Sequence, residues 1–230
     1  MQVRTVNVSD ADGKSAQLFF DALTGFYDLS EARALDMFAR NGQLTVSKYA
    51  DKVRDVAAWE LGPEHESALL ALGPNVAVKI GCSYLTASWK DARYDLIVID
   101  SPQGAHKDYM GTVHFEHFDA IQLVKRLAKD RCIVVLYVNR APYDKNVDGD
   151  FGYDQYEEYD FKDWMKARHA FYSHSPYKLT DAAAIHAYAR EFAFMGFDVV
   201  NTLVVPCYSD VPRKESYAFR VAFEIVNRRS

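Results

Sequence analysis

Four polar residues, each closing a strand-like apolar segment, recur at the spacing of successive strand–helix units. They are Asp36, Glu60, Cys82 and Asp100, and they follow one another at intervals of 24, 22 and 18 residues. A strand, a helix and two turns occupy about that length. Ligands of open α/β sheets bind at the carboxyl ends of the strands. The spacing therefore fits strands whose carboxyl ends meet at one sheet edge, where carboxylates could accept hydrogen bonds or a proton; the alternative is a doubly wound protein with acidic strand ends and no ligand there.

The segments that position these residues alternate between strands and helices. Continuous apolar runs, typical of strands buried on both faces of a parallel sheet, predict strands at residues 34–38, 56–60, 76–80, 95–100 and 132–138. Helical spacing of apolar residues predicts helices at 64–72, 115–129, 161–172 and 180–195. The alternation indicates an α/β fold with a doubly wound, mostly parallel sheet.

The C-terminal third predicts a different strand arrangement. Thr180 or Asp181 would cap a helix that Gly196 ends, and strands at 199–206 and 217–225 follow. Two strands so close in sequence cannot be parallel neighbours without a crossover. We therefore predict a C-terminal antiparallel β-hairpin that completes the parallel sheet.

Over residues 33–227, the chain resembles the class I S-adenosylmethionine-dependent methyltransferases, which have a Rossmann-like fold. The segment Leu35-Asp36-Met37-Phe38-Ala39-Arg40-Asn41-Gly42 is similar to the first motif of that family. The resemblance implies that Asp36, Phe38, Ala39 and Gly42 bind the cofactor, with a tight turn close to its methionine part. The segment departs from the family at Arg40, where glycine is usual; Arg40 could point outward or narrow the pocket.

The other strand ends correspond to further motifs of the family. Glu60 would accept hydrogen bonds from both ribose hydroxyls, and Leu61 would pack against the adenine. Cys82 and Ser83 stand where many relatives have an aspartate that contacts the adenine amino group. Asp100 and Ser101 would face the transferred methyl group. Ser101-Pro102-Gln103 faintly resembles the S/N/D-P-P-Y loop of base-amine methyltransferases, but it lacks the second proline and the aromatic residue, which disfavours that acceptor.

Three side chains are candidates for catalysis in such a reaction. The cofactor supplies the methyl group, so the protein mainly positions the nucleophile and removes a proton where needed. Asp100 could do either, or it could be a strand-end carboxylate that caps the next loop. His114 or His117 could act as a general base, since imidazole titrates near neutral pH; either could instead cap a helix or lie at the surface. Neither has the partners that a zinc site requires.

An acidic loop matches the first half of a calcium-binding loop. Asp144, Asn146 and Asp148 fit the pattern D-x-N-x-D-G, but Gln155 replaces the bidentate glutamate at the twelfth position. The alternative is a solvated turn without metal, which the missing carboxylate favours. Calcium is therefore a weak possibility at this loop.

We interpret the chain as one methyltransferase-like domain, 1–230, with two additions. Residues 1–31 form an N-terminal extension, and residues 143–178 an aromatic-rich insertion. The insertion could be a lid whose rings stack on the substrate. Truncation of Trp164 should then weaken substrate turnover without weakening cofactor binding. Its aromatic residues could instead pack an added helix.

Composition limits the compartment and the partners. The chain of 230 residues has no apolar run of the roughly 20 residues that cross a bilayer, and it does not begin like a signal peptide. Three scattered cysteines fit a reducing compartment, so we expect a cytoplasmic protein without membrane partners. The net charge of −5 disfavours nucleic acid but leaves it open, and the acceptor substrate is unknown.

Three functions remain open at the level of the sequence. The first is methyl transfer from S-adenosylmethionine to an unidentified acceptor. The second is a non-catalytic binding or regulatory protein with a degenerate methyltransferase fold, which the departures at Arg40, Cys82 and Gln103 favour. The third is an aminopropyl-transfer enzyme of the same architecture. A nicotinamide site is disfavoured because no G-x-G-x-x-G follows a strand.

Overall fold

The fold is described from a computed structural model, for residues 1–6, 15–89, 92–100, 104–108, 110–140, 158–175, 178–207 and 218–229. Eight strands form one sheet, and a short separate hairpin lies beside it. The strands of the main sheet are β1 (Gln2–Thr5), β2 (Arg33–Asp36), β3 (Asp55–Glu60), β4 (Val76–Ile80), β5 (Tyr94–Ile99), β8 (Ala128–Asn139), β9 (Phe197–Cys207) and β10 (Ala218–Asn227); the hairpin consists of β6 (Ala105–Lys107) and β7 (Val113–Phe115).

The main sheet has the order β1-β9-β10-β8-β5-β2-β3-β4. Strands β4, β3, β2, β5 and β8 pair in parallel, as the apolar runs predict. Strand β10 lies between β8 and β9 and is antiparallel to both. The predicted C-terminal hairpin and the predicted doubly wound, mostly parallel sheet are thus confirmed.

Helices cover both faces of this sheet, which explains why its strands are apolar on both sides. One buried cluster includes Leu35, Ile97 and Val134, and the other includes their neighbours Ala34, Leu96 and Val135. The helices are α1 (Ser15–Phe26), α2 (Val46–Tyr49), α3 (Glu66–Leu70), α4 (Ser83–Trp89), α5 (Ala120–Leu127), α6 (Glu158–Tyr172) and α7 (Asp181–Met195). Within the described ranges, no helix is long and apolar enough to cross a membrane.

The ends of α7 are those that the sequence predicts. The Thr180 side chain accepts a hydrogen bond from the Ala183 amide, which caps the first turn. Gly196 ends the helix with a φ of 94°, in the left-handed region that glycine enters without steric cost.

The predicted helix at 115–129 is wrong in its bounds. The helix α5 covers only Ala120–Leu127, because Glu116 has a φ of 47° and because β8 begins at Ala128, which pairs with Tyr94. The predicted helix at 64–72 is likewise shorter, since Pro63–His65 form a 3₁₀ turn before α3. No pattern in the sequence predicted β1, α1, α2, α4 or the β6–β7 hairpin.

The N-terminal residues belong to the same core as the rest of the chain. Strand β1 pairs in parallel with β9 at the edge of the sheet. Helix α1 buries Phe19, Phe20 and Leu23 completely in the second cluster.

Candidate cofactor site

The carboxyl edge of the parallel strands brings together residues that lie far apart in the sequence. Asp36 ends β2, Glu60 ends β3, Cys82 follows β4 and Asp100 follows β5. These four strands are hydrogen-bonded neighbours in parallel register, so their carboxyl ends meet at one edge. The structure therefore has the one edge that the spacing predicts.

The loop after β2 is anchored to the strands on both of its sides. The Met37 amide donates to the Val98 carbonyl at 3.0 Å, and the Ala39 amide donates to the Trp59 carbonyl at 3.0 Å. The Gly42 amide then donates back to the Ala39 carbonyl at 2.8 Å and closes a tight turn. These bonds fix the loop without using a side chain, which leaves backbone close to the edge of the sheet.

Gly42 is the residue that this turn requires. Its φ is 75°, and a Cβ at this position would overlap the Leu72 Cδ1 methyl and lie 2.9 Å from Leu69 Cδ2. Any other residue would be strained by its backbone and crowded by α3 and the residues after it. Gly42 therefore sets the packing between this loop and α3.

Glu60 holds the same loop from the end of the next strand. Its Oε2 accepts a hydrogen bond from the Arg40 amide at 2.6 Å, and its Oε1 accepts one from the Gly62 amide at 2.9 Å. Arg40 has a φ of 50°, so it adopts the left-handed conformation that glycine usually supplies at this position. Its side chain is exposed to solvent. The departure from the family motif thus leaves the turn intact.

Asp36 is buried at the centre of the edge. It is 1% exposed, and its Oδ2 accepts a hydrogen bond from the Tyr49 hydroxyl at 3.2 Å. The pKa of Asp36 is raised to about 7, mainly by burial and in smaller part by the nearby charge of Asp100, while hydrogen bonds from Thr45 and Tyr49 oppose the shift. This carboxyl group therefore keeps its proton into the neutral pH range, well above the pH at which an exposed aspartate loses it.

Asp100 forms a buried ion pair that the sequence analysis did not predict. Arg220 on β10 donates from Nε to Asp100 Oδ1 at 2.9 Å and from its second terminal nitrogen to Oδ2 at 3.4 Å. Arg220 also donates to the Ser15 hydroxyl and lies over the Tyr137 ring, at 4.8 Å from its centroid. The pair fixes the orientation of the carboxylate at the end of β5.

The predicted adenine side is partly committed to other contacts. The Ser83 hydroxyl donates to the Met37 carbonyl and ties the start of α4 to the loop after β2. Cys82 is a buried free thiol, and Leu61 is exposed at the edge. Ser101, which would face the methyl group, lies outside the described residues.

His114 lies on β7, in a stack of rings between the β6–β7 hairpin and α4. Its ring is 3.9 Å from that of Tyr84 and nearly parallel to it, at 8°. Its Nδ1 lies 2.7 Å from Asp119 Oδ2, and its Nε2 lies 3.3 Å from Asp108 Oδ2. Both ring nitrogens therefore already have carboxylate partners, and catalysis by His114 stays a prediction.

His106 joins the stack, and the sequence analysis did not single it out. Its Nε2 lies 3.0 Å from the Tyr84 hydroxyl, and its ring is 5.3 Å from that of His114. Burial lowers the pKa of His106 to about 4, so its ring is neutral near pH 7. No local sequence signal marks His106, because its neighbours in the stack come from α4 and β7.

His117 lies deeper, between α5 and α7. It is 1% exposed, its Nδ1 lies 3.2 Å from the Tyr188 hydroxyl, and its Nε2 has no partner among the described residues. Burial lowers the pKa of His117 to about 3. This surrounding makes His117 a neutral core side chain, and its predicted role as a base is not supported by the geometry.

Helix α6 is attached to the hairpin by a buried polar network. Glu116 accepts hydrogen bonds from Trp164 Nε1 at 3.0 Å and from the Tyr172 hydroxyl at 2.9 Å, and it pairs with the Arg168 guanidinium. Arg168 also donates to the Asn139 carbonyl at the end of β8. Trp164 is therefore a packing residue here, as the alternative to the lid hypothesis has it, and the lid stays a prediction.

The described residues give no support to a metal site. No group of three or more His, Cys, Asp or Glu side chains within them is placed to hold a metal ion. The predicted calcium loop, with Asp144, Asn146 and Asp148, lies outside the described residues.

No protein-family model matches the chain, and no curated protein matches it. Its fold is similar to that of solved methyltransferase-fold structures at low identity. The complex of Trm1 from Pyrococcus horikoshii with S-adenosyl-L-methionine has a TM-score of 0.62 at 11% identity, over 95% of this chain and 57% of that one. M. jannaschii TYW2 in complex with AdoMet has a TM-score of 0.55 at 13% identity, over 96% of this chain and 78% of that one. SMU.776 in complex with SAH has a TM-score of 0.59 at 11% identity, over 93% of this chain and 49% of that one.

These likenesses agree with the strand order and assign the fold. The chain has the class I methyltransferase fold, with its candidate site at the carboxyl edge of the sheet.

Proposed function

We propose that this protein binds S-adenosylmethionine at the carboxyl edge of its sheet and transfers the methyl group to an acceptor. The observation that carries the proposal is the arrangement of Glu60 and the loop after β2. Both carboxylate oxygens of Glu60 are oriented by backbone amides, from Arg40 and Gly62. Three solved proteins with the same fold hold AdoMet or SAH.

The side chains at the edge fit the charged, polar and apolar groups of this cofactor. Each oxygen of Glu60 uses one lone pair on a backbone amide, which leaves a second for a ribose hydroxyl. Leu61 offers an exposed apolar side chain to the adenine ring. The tight turn at Ala39 to Gly42 lets the methionine part approach the backbone. Asp36 would lie near its cationic groups.

We call the end of β5, with Asp100 and its partner Arg220, the acceptor side of the site. These residues would position the acceptor rather than remove a proton from it. When bound, the cofactor supplies an electrophilic methyl group, and the acceptor must approach in line with it. The Asp100–Arg220 pair gives this approach an oriented carboxylate at the end of β5. We infer that Asp100 accepts a hydrogen bond from the acceptor.

The net charge of the chain bears on whether the acceptor is a nucleic acid. The net charge of −5 gives the chain no excess of basic side chains with which to hold a polyanion. We therefore favour a small-molecule or protein acceptor over nucleic acid.

A non-catalytic binding protein is the second candidate. It is favoured by the commitment of His114 to two carboxylates and of Ser83 to the Met37 carbonyl. Such a protein would bind the cofactor without producing S-adenosylhomocysteine.

Calorimetric titration with S-adenosylmethionine and S-adenosylhomocysteine tests the proposed binding. We expect both ligands to bind, and Glu60→Ala to weaken both by about 100-fold, because two charge-assisted hydrogen bonds contribute on the order of 3 kcal/mol. Glu66→Gln, an exposed carboxylate on α3, is the matched control and should bind like the wild type. Absence of binding by the folded wild type would contradict the proposal.

A turnover assay then separates the two candidates. The protein is incubated with methyl-labelled cofactor and a cell extract, and S-adenosylhomocysteine and label are followed. Production that depends on both the protein and the extract supports methyl transfer. Binding without production in extracts of the native host favours the non-catalytic alternative.

A further inference from the structure

The centre of the candidate site contains two buried carboxyl groups and one buried cation. Asp36 is 1% exposed, Asp100 is 6% exposed and Arg220 is 4% exposed. Asp36 and Val98 are partners in the parallel register of β2 and β5, and Asp100 lies two residues further along on the same face. The guanidinium of Arg220 faces Asp100 with two nitrogens. One carboxyl group of the two is thus paired.

Asp36 has only neutral partners in the described part of the chain. From the segment around α2, Tyr49 and Thr45 donate side-chain hydrogen bonds to it, and the Phe38 amide donates from the loop after β2. From β5, the charge of Asp100 repels it; from β10, Arg220 reaches Asp100. Burial raises the pKa of Tyr49 well above its ordinary value, so this residue stays a donor. Among the described side chains of β3 and α4, no titratable group contacts Asp36.

A second charge at Asp36 is therefore costly in the ligand-free protein. An ionised carboxylate that is removed from water and lacks a counter-charge is disfavoured relative to its neutral form. A neutral carboxyl group keeps a compact arrangement of Tyr49, Thr45 and Asp36 without an unpaired charge. A cation that enters beside it would reverse this preference, because an opposite charge within a few ångströms favours the ionised form.

The proposed cofactor brings such a cation. S-adenosylmethionine has a sulfonium and an α-ammonium group, whereas S-adenosylhomocysteine has the α-ammonium alone. We propose that Asp36 carries a proton in the ligand-free protein and releases it to solvent when a cationic group of the cofactor binds next to it. The inference rests on the proposed function. The balance is simple: a neutral carboxyl group and a cation become an ion pair, and one proton leaves.

The ligand-free state is tested by ¹³C NMR of the aspartate carboxyl groups. The Asp36 resonance, assigned by its loss in Asp36→Asn, should titrate near neutral pH. Titration of that resonance in the ordinary range of aspartate, near pH 4, would overturn the proposal. Because asparagine is close in shape to a protonated aspartate, the variant should fold, and a circular dichroism spectrum checks this.

Proton release is measured by calorimetry at pH 6 in two buffers that differ in ionisation enthalpy. We expect close to one proton released per ligand bound by the wild type and none by Asp36→Asn. The affinity of the wild type should fall about 15-fold from pH 7.0 to pH 5.5, while that of Asp36→Asn stays flat. Asp95→Asn, which changes a carboxylate at the opposite end of β5, should behave like the wild type.

The outcomes separate this inference from the proposed function. Release with both ligands supports the ammonium as the cation, and release with S-adenosylmethionine alone supports the sulfonium. Binding without proton release overturns the inference and leaves the proposed function standing. Absence of binding overturns both.

Discussion

Replacing Gly42 by alanine tests the idea that the loop after β2 is fixed by its backbone geometry. The φ of 75° costs a residue with a Cβ about 1 kcal/mol. The new methyl would push aside the half-exposed Leu72 side chain at little cost, but it would also lie 2.9 Å from Cδ2 of the fully buried Leu69, and overpacking against a buried side chain costs roughly 1–3 kcal/mol. We therefore expect Gly42→Ala to lower the free energy of unfolding by about 2–4 kcal/mol.

Urea unfolding followed by circular dichroism measures this loss, with Gly25→Ala as the matched control. Gly25 lies in α1, and an added Cβ there would meet no atom within 4 Å. Its substitution should raise the stability by about 0.5–1 kcal/mol, because alanine favours the helix. A loss below 1 kcal/mol for Gly42→Ala would refute the reasoning. Since the same turn approaches the proposed cofactor, the affinity for S-adenosylhomocysteine should fall as well.

Two further predictions concern the buried groups outside the cofactor site. The pKa of His117, about 3, lies below the unfolded value near 6.5, so stability from the neutral ring is present above pH 6.5 and is lost as the pH falls towards 3. Between pH 8 and pH 5 this amounts to about 2 kcal/mol that His117→Phe should abolish in urea titrations; an unchanged pH dependence in the variant would contradict it. Glu116→Gln removes the carboxylate that pairs with the buried Arg168 guanidinium and should cost about 3–5 kcal/mol in thermal or urea unfolding, whereas Asp163→Asn, which breaks an exposed pair on the same helix, should cost less than about 1. Equal losses of unfolding free energy in these two variants would show that the buried pair stabilises the fold no more than the exposed one.

The strands were predictable because burial on both faces leaves a local mark. Strand β4 covers the predicted 76–80, and β5 begins one residue before the predicted segment. The predicted bounds of the helix at 115–129 were wrong because of a contact that the local spacing of apolar residues does not show. Glu116 has a left-handed backbone and accepts hydrogen bonds from three α6 side chains, those of Trp164, Arg168 and Tyr172, and partners so distant in the sequence leave no local pattern.

The site was predictable only for one of its two sides. Strand-end carboxylates at Asp36, Glu60 and Asp100 follow from spacing and from the resemblance. The partner of Asp100 does not, since Arg220 is 120 residues away. One signal was available: Arg220 and Glu224 interrupt an otherwise apolar strand, β10, and a charge in a buried strand requires a partner.

The contacts of the three predicted catalytic residues limit which acceptors the proposed methyl transfer could use. Asp100 is held by Arg220, both nitrogens of His114 lie against carboxylates, and His117 is buried against Tyr188. A reaction that requires a base to remove a proton before methyl transfer finds no unengaged group among these three. An amine, thiolate or thioether whose lone pair is free at neutral pH needs no such base, because any proton can leave after the transfer. For the proposed methyl transfer, these contacts favour acceptors of this kind over hydroxyl groups, and thioethers and weakly basic amines, whose lone pairs are free at neutral pH, are the first to be tested.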